Sequence, residues 1–179
     1  MKPLALITGV GPGTGASVAR RFAAAGYRTA LLARNENRLN ELASELPDSN
    51  AFVCDVTDSE ALAQVVEAAG PVDVVVHNAV GGGWGTFSEI EPEMLENNFQ
   101  VNVMALLHLA RLTTPSMVQA GKGALIVTGN TSALRGRAPF AGFAPTKAAQ
   151  RILAESMARE LGPKGVHVAY LVIDAVIDL

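Results

Sequence analysis

The stretch Thr8-Gly9-Val10-Gly11-Pro12-Gly13-Thr14-Gly15 joins a short apolar run, Leu4 to Thr8, to an alanine-rich segment. Glycines lack a Cβ, so a tight turn there lets backbone amides and the positive end of a following helix approach a pyrophosphate. The spacing is Thr-Gly-x-x-x-Gly-x-Gly, because Thr14 stands where the common G-x-G-x-x-G pattern has its last glycine. The stretch predicts a nucleotide-binding turn between a strand and a helix. A turn that needs glycine only for its backbone geometry is the alternative.

Outward from this turn, short β-rich runs alternate with longer helical stretches, a pattern typical of a parallel sheet with crossover helices. The predicted strands are Leu4–Thr8, Arg28–Ala33, Ala51–Asp55, Val72–His77, Ala124–Thr128 and Val166–Ile173. The predicted helices are Thr14–Ala25, Asn35–Leu46, a segment that ends at Gly70-Pro71, Pro92–Ala120 and Pro145–Leu161. We therefore expect an α/β fold over residues 1–179: a single Rossmann-type domain, doubly wound, with helices on both faces of a parallel sheet in the order 3-2-1-4-5-6.

Two helices carry further predictions. Thr57, with Glu60 three residues later, predicts a capping box at the start of the third helix. The long helical segment after the glycine-rich loop contains Pro115, where a kink is an alternative to a straight helix. Its apolar residues belong either to the core or to a subunit contact; they include Met104, Leu106, Leu107 and Leu109.

Composition restricts the class of protein. The 179 residues suit one domain with a sizeable core, and 49% of them are hydrophobic. Charged residues make up 17%, below the roughly 25% of an average soluble domain, and the net charge is -3. Nucleic acid and anionic membrane are therefore poor candidate partners. A lone Cys54 and no apolar run of the ~20 residues that span a bilayer predict a cytoplasmic protein without disulfides. We predict no metal site.

The end of the second predicted strand bears on the choice of nucleotide. In such folds, a residue about 20 positions after the glycines reads the adenosine ribose, and a carboxylate there bonds the free 2′-hydroxyl of NAD. Here the strand ends in Leu31-Leu32-Ala33-Arg34, followed by Asn35. A guanidinium suits a 2′-phosphate, so NADP(H) is favoured over NAD(H). A solvated arginine at a strand end is the alternative.

With these motifs, the chain resembles the short-chain dehydrogenase/reductase family along essentially its whole length. Besides the glycine stretch, the resemblance rests on Asp55-Val56, His77-Asn78-Ala79, Val101-Asn102 and the lysine of Phe143-Ala144-Pro145-Thr146-Lys147. It implies that Asp55 contacts the adenine, that Asn78 and Ala79 pack beside the cofactor, and that Lys147 bonds the nicotinamide ribose. It also implies that Asn102 holds a water in a proton relay. The cofactor-binding residues expected are Thr8, Gly9, Gly13, Thr14, Gly15, Arg34, Asp55, Val56, Asn78, Ala79 and Lys147.

The chain departs from the family at the proton donor. The family has a serine about thirteen residues before a Tyr-x-x-x-Lys, but Phe143 stands at the tyrosine's position and Asn130 at the serine's. A phenyl ring donates no proton. The resemblance implies Asn102 and Lys147 as catalytic residues, and Asn130, at the serine's position, is a third candidate. The neighbouring hydroxyls of Thr131 and Ser132, or ordered water, are alternative proton routes.

Other titratable groups offer no evident replacement for the missing acid. The two tyrosines, Tyr27 and Tyr170, are not expected where an acid is needed. His77 replaces the first asparagine of the family's Asn-Asn-Ala-Gly motif and is expected to be a core residue. Asp174-Ala175 replaces the family's Pro-Gly after the sixth strand, which alters the loop over the nicotinamide.

The resemblance also implies a longer chain. The family continues past the sixth strand with a substrate-covering segment, a helix and a seventh strand, and that strand is absent from this sequence. We expect the native chain to continue beyond Leu179, because the apolar Ile177 to Leu179 would otherwise have nothing to pack against. The resemblance implies a homodimer or homotetramer formed through the long helix and the helix after Lys147.

Three functions follow from these observations. The first is an NADP-dependent oxidoreductase on a small carbonyl or alcohol, with a nonstandard proton donor. The second is a cofactor-binding protein without turnover, which serves as a sensor, scaffold or partner subunit. The third is a structural protein whose glycine turn no longer binds nucleotide.

Overall fold

A parallel sheet of six strands forms the centre of the molecule, in a computed structural model that describes residues 2–175. The strands are β1 (Leu4–Thr8), β2 (Arg28–Ala33), β3 (Ser49–Val53), β4 (Val74–His77), β5 (Gly123–Asn130) and β6 (Val166–Ile173). Their order is β3-β2-β1-β4-β5-β6, as predicted. The order reverses between β1 and β4, and the carboxyl ends of parallel strands at such a point form a crevice for ligands.

Helices cover both faces of this sheet. They are α1 (Thr14–Ala24), α2 (Glu36–Glu45), α3 (Ser59–Ala69), α4 (Pro92–Phe99), α5 (Ala105–Ala120) and α6 (Ala144–Leu161). A π-helical turn, Gln100–Met104, joins α4 to α5, and 3-10 turns follow β5 and α6. None of the helices within the described residues is long and apolar enough to cross a membrane.

Alternate residues of the central strand supply two separate cores. All five residues of β1 are buried, as expected for a strand covered on both faces. Leu6 faces the core beneath α3, α5 and α6, whereas Ala5 and Ile7 face the core beneath α1 and α2. Leu106 and Leu109 of α5 are fully buried in the first core, so this part of the helix serves the core rather than a subunit contact.

The structure confirms β1, β2 and β6 at the predicted bounds and moves other boundaries. The predicted capping box was wrong: Asp58 caps α3 by accepting from the amides of Glu60 and Ala61, while Thr57 bonds to Asp55 instead. A carboxylate one position later reaches the free amides of the first turn and takes the cap.

The long segment from residue 92 to residue 120 is not one continuous helix. Its irregularity lies at Gln100–Met104, where the amide of Ala105 bonds to the carbonyl of Gln100 five residues before it. The helix continues through Pro115 to Ala120. The π turn contains the buried Asn102, and its Val101 carbonyl bonds to His77 at the carboxyl end of β4. The predicted apolar tail at 177–179 lies outside the described residues.

Candidate functional site

The glycine turn packs closely against the segment that follows β4. Gly9 has φ of +67°, and a Cβ there would overlap the backbone of Ala79. A Cβ on Gly15 would lie 2.5 Å from the carbonyl oxygen of Gly9 and 2.8 Å from Cα of Val10. Gly11, by contrast, has open space around its Cβ position. Two of the glycines are therefore required by contact with other backbone.

The turn also presents unpaired backbone donors. Gly13 is the N-cap of α1 and provides no side chain to bond the first amides. Within residues 2–175, no hydrogen bond engages the backbone N–H groups of Gly13, Thr14 or Gly15. Free amides at the positive end of an eleven-residue helix form a site for an anion such as a diphosphate.

Thr8 lies beneath this turn rather than in the surface of the cleft. Its side chain is fully buried, and its Oγ1 accepts from the amides of Asn78 and Ala79, each at 3.2 Å. The hydroxyl hydrogen then points to Nδ1 of His77 at 3.1 Å. The sequence analysis expected Thr8 among the cofactor-binding residues. In the structure, Thr8 holds the segment that lines the cleft, and its part in cofactor binding stays a prediction.

His77 connects Thr8 to the π turn. Because Nδ1 accepts from Thr8, the ring proton is on Nε2, which donates to the carbonyl of Val101 at 3.2 Å. Burial is the main cause that lowers the pKa of His77 to about 4, with the charge of Lys147 acting in the same direction. His77 is thus a neutral core residue, as the sequence suggested.

Asn78 ties together the carboxyl ends of three neighbouring strands. Its Nδ2 donates to the carbonyl of Gly9 at 2.8 Å, directly after β1. Its Oδ1 accepts from the hydroxyl of Thr128 on β5 at 3.0 Å. Asn78 therefore lies against the glycine turn, and its predicted contact with a cofactor stays a prediction.

A cleft of about 930 Å³ extends from the glycine turn along the carboxyl edge of the sheet. It is lined by most of the predicted cofactor-binding residues, namely Gly9, Gly13, Thr14, Gly15, Arg34, Asp55, Val56, Asn78 and Ala79. Asn35 and Arg38 belong to the same lining. Arg38 was missed because its distance from the strand end, one turn into α2, is not part of any motif.

The adenosine end of this cleft, as the sequence places it, carries charge of both signs. The guanidinium of Arg34 is 82% exposed and lies 3.9 Å from a carboxylate oxygen of Asp55. The other oxygen of Asp55 accepts from the amide and the hydroxyl of Thr57, at 3.0 and 2.8 Å. The backbone hydrogen bond from Thr57 is the main cause that holds the pKa of Asp55 below its usual value. Asp55 therefore shapes its own turn as well as the cleft.

Asn102 is fully buried beside this cleft. Its side chain bonds to both backbone groups of Gly81, with Oδ1 accepting at 3.0 Å and Nδ2 donating at 2.8 Å. The same Nδ2 also donates to the hydroxyl of Thr146 at 2.8 Å. Asn102 thus fixes the glycine-rich loop after β4 against the first turn of α6.

Lys147 lies on α6, is 3% exposed and places its ammonium at the end of β5. Its Nζ donates to the carbonyl of Thr128 at 3.1 Å and to Oε1 of Gln150 at 2.8 Å. Burial lowers the pKa of Lys147 to about 8. Gln150 is fully buried in contact with both Lys147 and Asn102, and the sequence analysis missed it because no motif marks its position.

The candidate proton donors are mostly engaged with other groups. Asn130 donates to the carbonyl of Ile173 and accepts from the amide of Ser132, so it caps a 3-10 turn. The hydroxyl of Thr131 donates to Asp174 at 2.9 Å. No hydrogen bond of the Ser132 hydroxyl lies within the described part of the chain. Of the two predicted hydroxyls, only that of Ser132 has no hydrogen-bond acceptor within residues 2–175.

Tyr170 lies nearer to these residues than the sequence suggested, but its hydroxyl faces backbone. It donates to the carbonyl of Lys147 at 3.3 Å and accepts from the amide of Asn130 at 3.4 Å. Tyr27 packs against Phe22 with the ring centres 5.1 Å apart, away from the cleft. Neither tyrosine presents a proton to the cleft, as expected. Among residues 2–175 there is also no cluster of His, Cys, Asp and Glu that could hold a metal ion.

The fold and the cleft define a dinucleotide-binding α/β protein. Proteins of this class bind the diphosphate of a dinucleotide where the strand order reverses, at a glycine-rich turn before a helix. This chain has that reversal between β1 and β4, and within residues 2–175 the first amides of α1 are unpaired. This chain belongs to the short chain dehydrogenase family, whose model matches residues 3–176.

Relatives of known name agree with this assignment. The chain is 33% identical over 165 residues to D-erythrulose reductase of Gallus gallus, an alignment that covers 92% of this chain and 67% of that enzyme. A short-chain dehydrogenase from Streptomyces avermitilis superposes with a TM-score of 0.92 at 30% identity, covering 98% of this chain and 66% of that one. A metagenomic short-chain oxidoreductase in complex with NADP gives 0.90 at 28% identity, covering 97% and 83%. The chain thus spans about two thirds of the length of the first two.

Proposed function

We propose that this protein binds NADP(H) in the cleft and acts as an oxidoreductase on a small carbonyl or alcohol, with a proton donor other than tyrosine. The observation that carries the proposal is the glycine turn, where Gly9 and Gly15 have no room for a Cβ and the first amides of α1 are unpaired. Such a turn serves a bound diphosphate better than it serves folding alone. The relationship to D-erythrulose reductase supports a small carbonyl substrate.

The roles proposed for individual residues follow from their positions. The amides of Gly13, Thr14 and Gly15 would hold the diphosphate, and Asp55 with Val56 would flank the adenine. Asn78 and Ala79 would border the nicotinamide half, because they follow β4 at the switch point. When bound, the cofactor would supply or accept a hydride. Lys147 would offer its ammonium to the nicotinamide ribose.

Charge at the other end of the cleft favours NADP(H) over NAD(H). Arg34 and Arg38 both line the cleft, and the carboxylate that would bond a 2′-hydroxyl is missing from the end of β2. Asn35 contributes little to this choice, because its side chain already accepts from the amide of Arg38 as the cap of α2. Two guanidinium groups would bind a 2′-phosphate through charge-assisted hydrogen bonds.

A titration with both nucleotides tests the cofactor proposal. We expect NADPH to bind more tightly than NADH to the unaltered protein. Arg34→Ala should weaken NADPH binding by about 10-fold or more, since a hydrogen bond to a charged group contributes about 1.5–3 kcal/mol, and should leave NADH nearly unchanged. Arg111→Ala, on the exposed face of α5, is the matched control. Absence of affinity for either nucleotide would favour the structural role instead.

A cofactor-binding protein without turnover is the second candidate. Phe143 in place of a tyrosine and the engagement of both Asn130 and Thr131 in local hydrogen bonds favour it. A panel of aldehydes, ketones and alcohols distinguishes the two candidates. An NADPH-dependent rate above buffer that falls with Ser132→Ala supports the oxidoreductase, since Ser132 has the free hydroxyl. No rate across the panel, with nucleotide bound, supports binding alone.

We also propose a homodimer or homotetramer. Leu112 and Phe99 remain more than a third exposed on the α4 and α5 segment, and Ile152 is half exposed on α6. These are the two helices that the family resemblance assigns to subunit contact. Sedimentation of the protein at micromolar concentration should show a species larger than the monomer, and a single monomer peak would contradict this.

A further inference from the structure

Gln150 is a fully buried polar side chain with both ends of its amide hydrogen-bonded. It lies on α6, three residues after Lys147. Its Nε2 donates to the main-chain carbonyl of Asn102 at 2.6 Å, and its Oε1 accepts from Nζ of Lys147 at 2.8 Å. The partners fix the orientation of the amide, because an ammonium only donates and a carbonyl only accepts. Gln150 therefore bridges the π turn and the lysine.

We infer that Gln150 is a positioning residue that holds the ammonium of Lys147 at the end of β5. Because it occupies the space between Lys147 and the carbonyl of Asn102, it also prevents proton transfer between them. The role of Lys147 as a fixed cation beside the cofactor rests on the proposed function. The two bonds themselves are properties of the chain without nucleotide.

The amide of Gln150 cannot pass a proton between Lys147 and Asn102. A water or a hydroxyl passes protons along a chain because the same oxygen accepts one and donates another. An amide accepts at oxygen and donates at nitrogen, and neither atom changes its protonation near neutral pH. The family resemblance implies a water held by the asparagine at position 102. Here, an amide side chain is bonded to the carbonyl of that residue instead.

The position of Asn102 in the π turn makes its main-chain carbonyl accessible to the side chain of Gln150. The π turn Gln100–Met104 displaces the backbone from the regular α-helical pattern, and π turns of this kind are frequent at functional sites. The side chain of Asn102 is held from two other directions, by Gly81 and by Thr146. The carbonyl of Asn102, the amide of Gln150 and the ammonium of Lys147 are thus held in place by the π turn, α6 and β5.

Few titratable groups face Lys147 from the surrounding elements. His77 on β4 is neutral and buried, and Tyr170 on β6 bonds to the carbonyl of Lys147 rather than to its ammonium. No carboxylate is among the hydrogen-bond or ion-pair partners of Lys147 in residues 2–175. Besides the carbonyl of Thr128, the oxygen of Gln150 is therefore the acceptor that stabilises the charged form of Lys147.

Nuclear magnetic resonance on the protein without nucleotide tests the bridge. The chain has four lysines, Lys2, Lys122, Lys147 and Lys164, so ¹³Cε resonances of labelled lysine can be assigned with one Lys147→Arg variant. We expect Lys147 to titrate near pH 8. Gln150→Met, which keeps the length but removes the acceptor, should lower the midpoint of Lys147. Gln150→Glu, which places a carboxylate on the ammonium, should raise it by about one pH unit or more.

Controls separate positioning from general destabilisation. The same two substitutions at Gln119, exposed on α5, should leave the midpoint of Lys147 unchanged. A residue that only fills space would lower thermal stability without moving that midpoint. A folded Gln150→Met or Gln150→Glu protein in which Lys147 titrates as in the parent would therefore overturn the inference.

A measurement on the parent protein keeps the test decisive if the variants do not fold. The side-chain amide hydrogens of Gln150 should exchange with solvent at least about 100-fold more slowly than those of the exposed Gln64 on α3, because slow exchange reports closure from water. Equal exchange rates would overturn the bridge. Since these measurements contain no nucleotide, their outcome is independent of whether NADP(H) binds.

Discussion

The ammonium of Lys147 lies 5.8 Å from the centre of the Phe143 ring, one turn earlier on the same helix. The lysine is thus retained close to the position where the family resemblance expects a tyrosine hydroxyl, but the ring beside it has no proton to give. A cation near an aromatic face gains some electrostatic attraction, so the substitution leaves Lys147 a favourable neighbour. Phe143 therefore lies near the ammonium of Lys147 but has no proton to donate.

Restoring the acid should raise reductase activity. We expect Phe143→Tyr combined with Asn130→Ser to increase NADPH-dependent carbonyl reduction by about 10²–10⁴-fold, the usual effect of one general acid. A serine at 130 keeps an oxygen that can accept from the amide of Ser132, as Asn130 does now. Steady-state rates on a carbonyl panel would measure the gain.

Phe140→Tyr provides the control for that gain, since it adds the same hydroxyl to the ring that packs against Trp84 at 4.5 Å. It should leave the rate unchanged. If the double variant binds NADPH and folds but shows no gain, the substrate pocket is lost together with the acid.

A methyl group in the glycine turn should weaken nucleotide binding, whereas one at a glycine outside the cleft should not. Gly15→Ala places a Cβ 2.5 Å from the carbonyl oxygen of Gly9, so the backbone must move. We expect NADPH affinity to fall about 10- to 100-fold, because such overpacking costs about 1–3 kcal/mol and displaces the free amides. Gly162→Ala, whose Cβ position is open and which lies outside the cleft lining, should bind NADPH like the parent. Calorimetric titration of both variants would measure this, and equal affinities would refute the proposed cradle.

The buried hydroxyl of Thr8 should contribute to stability out of proportion to its size. Thr8→Val keeps the shape but removes the acceptor of the Asn78 and Ala79 amides and the donor to His77. Buried unpaired donors cost about 1–3 kcal/mol each, so we expect a loss of about 2–4 kcal/mol in the free energy of unfolding. Urea denaturation would measure it. Thr8→Ser, which keeps the hydroxyl, should lose clearly less; a Thr8→Val protein at least as stable as the Thr8→Ser protein would contradict the role of the hydroxyl.

The sequence predicted most of the fold because the fold depends on local patterns. The bounds of β1, β2 and β6 follow from short apolar runs that end at glycine or at charged residues. The π turn was not predictable from the sequence, because its apolar residues continue the periodicity of the flanking helices. The change in backbone hydrogen bonding does not alter that periodicity. Asp58 displaced Thr57 as the helix cap for a similar reason: both residue types favour caps, and only the path of the backbone decides between them.

The candidate site was predictable where a motif fixes a residue's place along one strand end, as for Asn78 or Arg34. Contacts between distant segments were not. Gln150 bonds to Asn102 across 48 positions of sequence, and nothing in the composition of either segment indicates the pairing. Thr8 belongs to the motif, yet its hydroxyl turned out to face three groups of β4 and its extension rather than the cleft.

The neutral His77 predicts a specific loss of stability in acid. Its pKa is about 4 in the folded protein and near 6.5 when unfolded, so the unfolded chain binds the extra proton between these values. The contribution of His77 is present above pH 6.5 and is lost as pH falls toward 4, by up to about 3 kcal/mol. Chemical denaturation from pH 7 to pH 4 of the parent and of His77→Asn measures it, and the variant should show the shallower decline. His167→Asn, on the exposed side of β6, should follow the parent. Parallel declines in the parent and His77→Asn would mean that His77 charges freely, and the tautomer that joins Thr8 to Val101 would then be wrong.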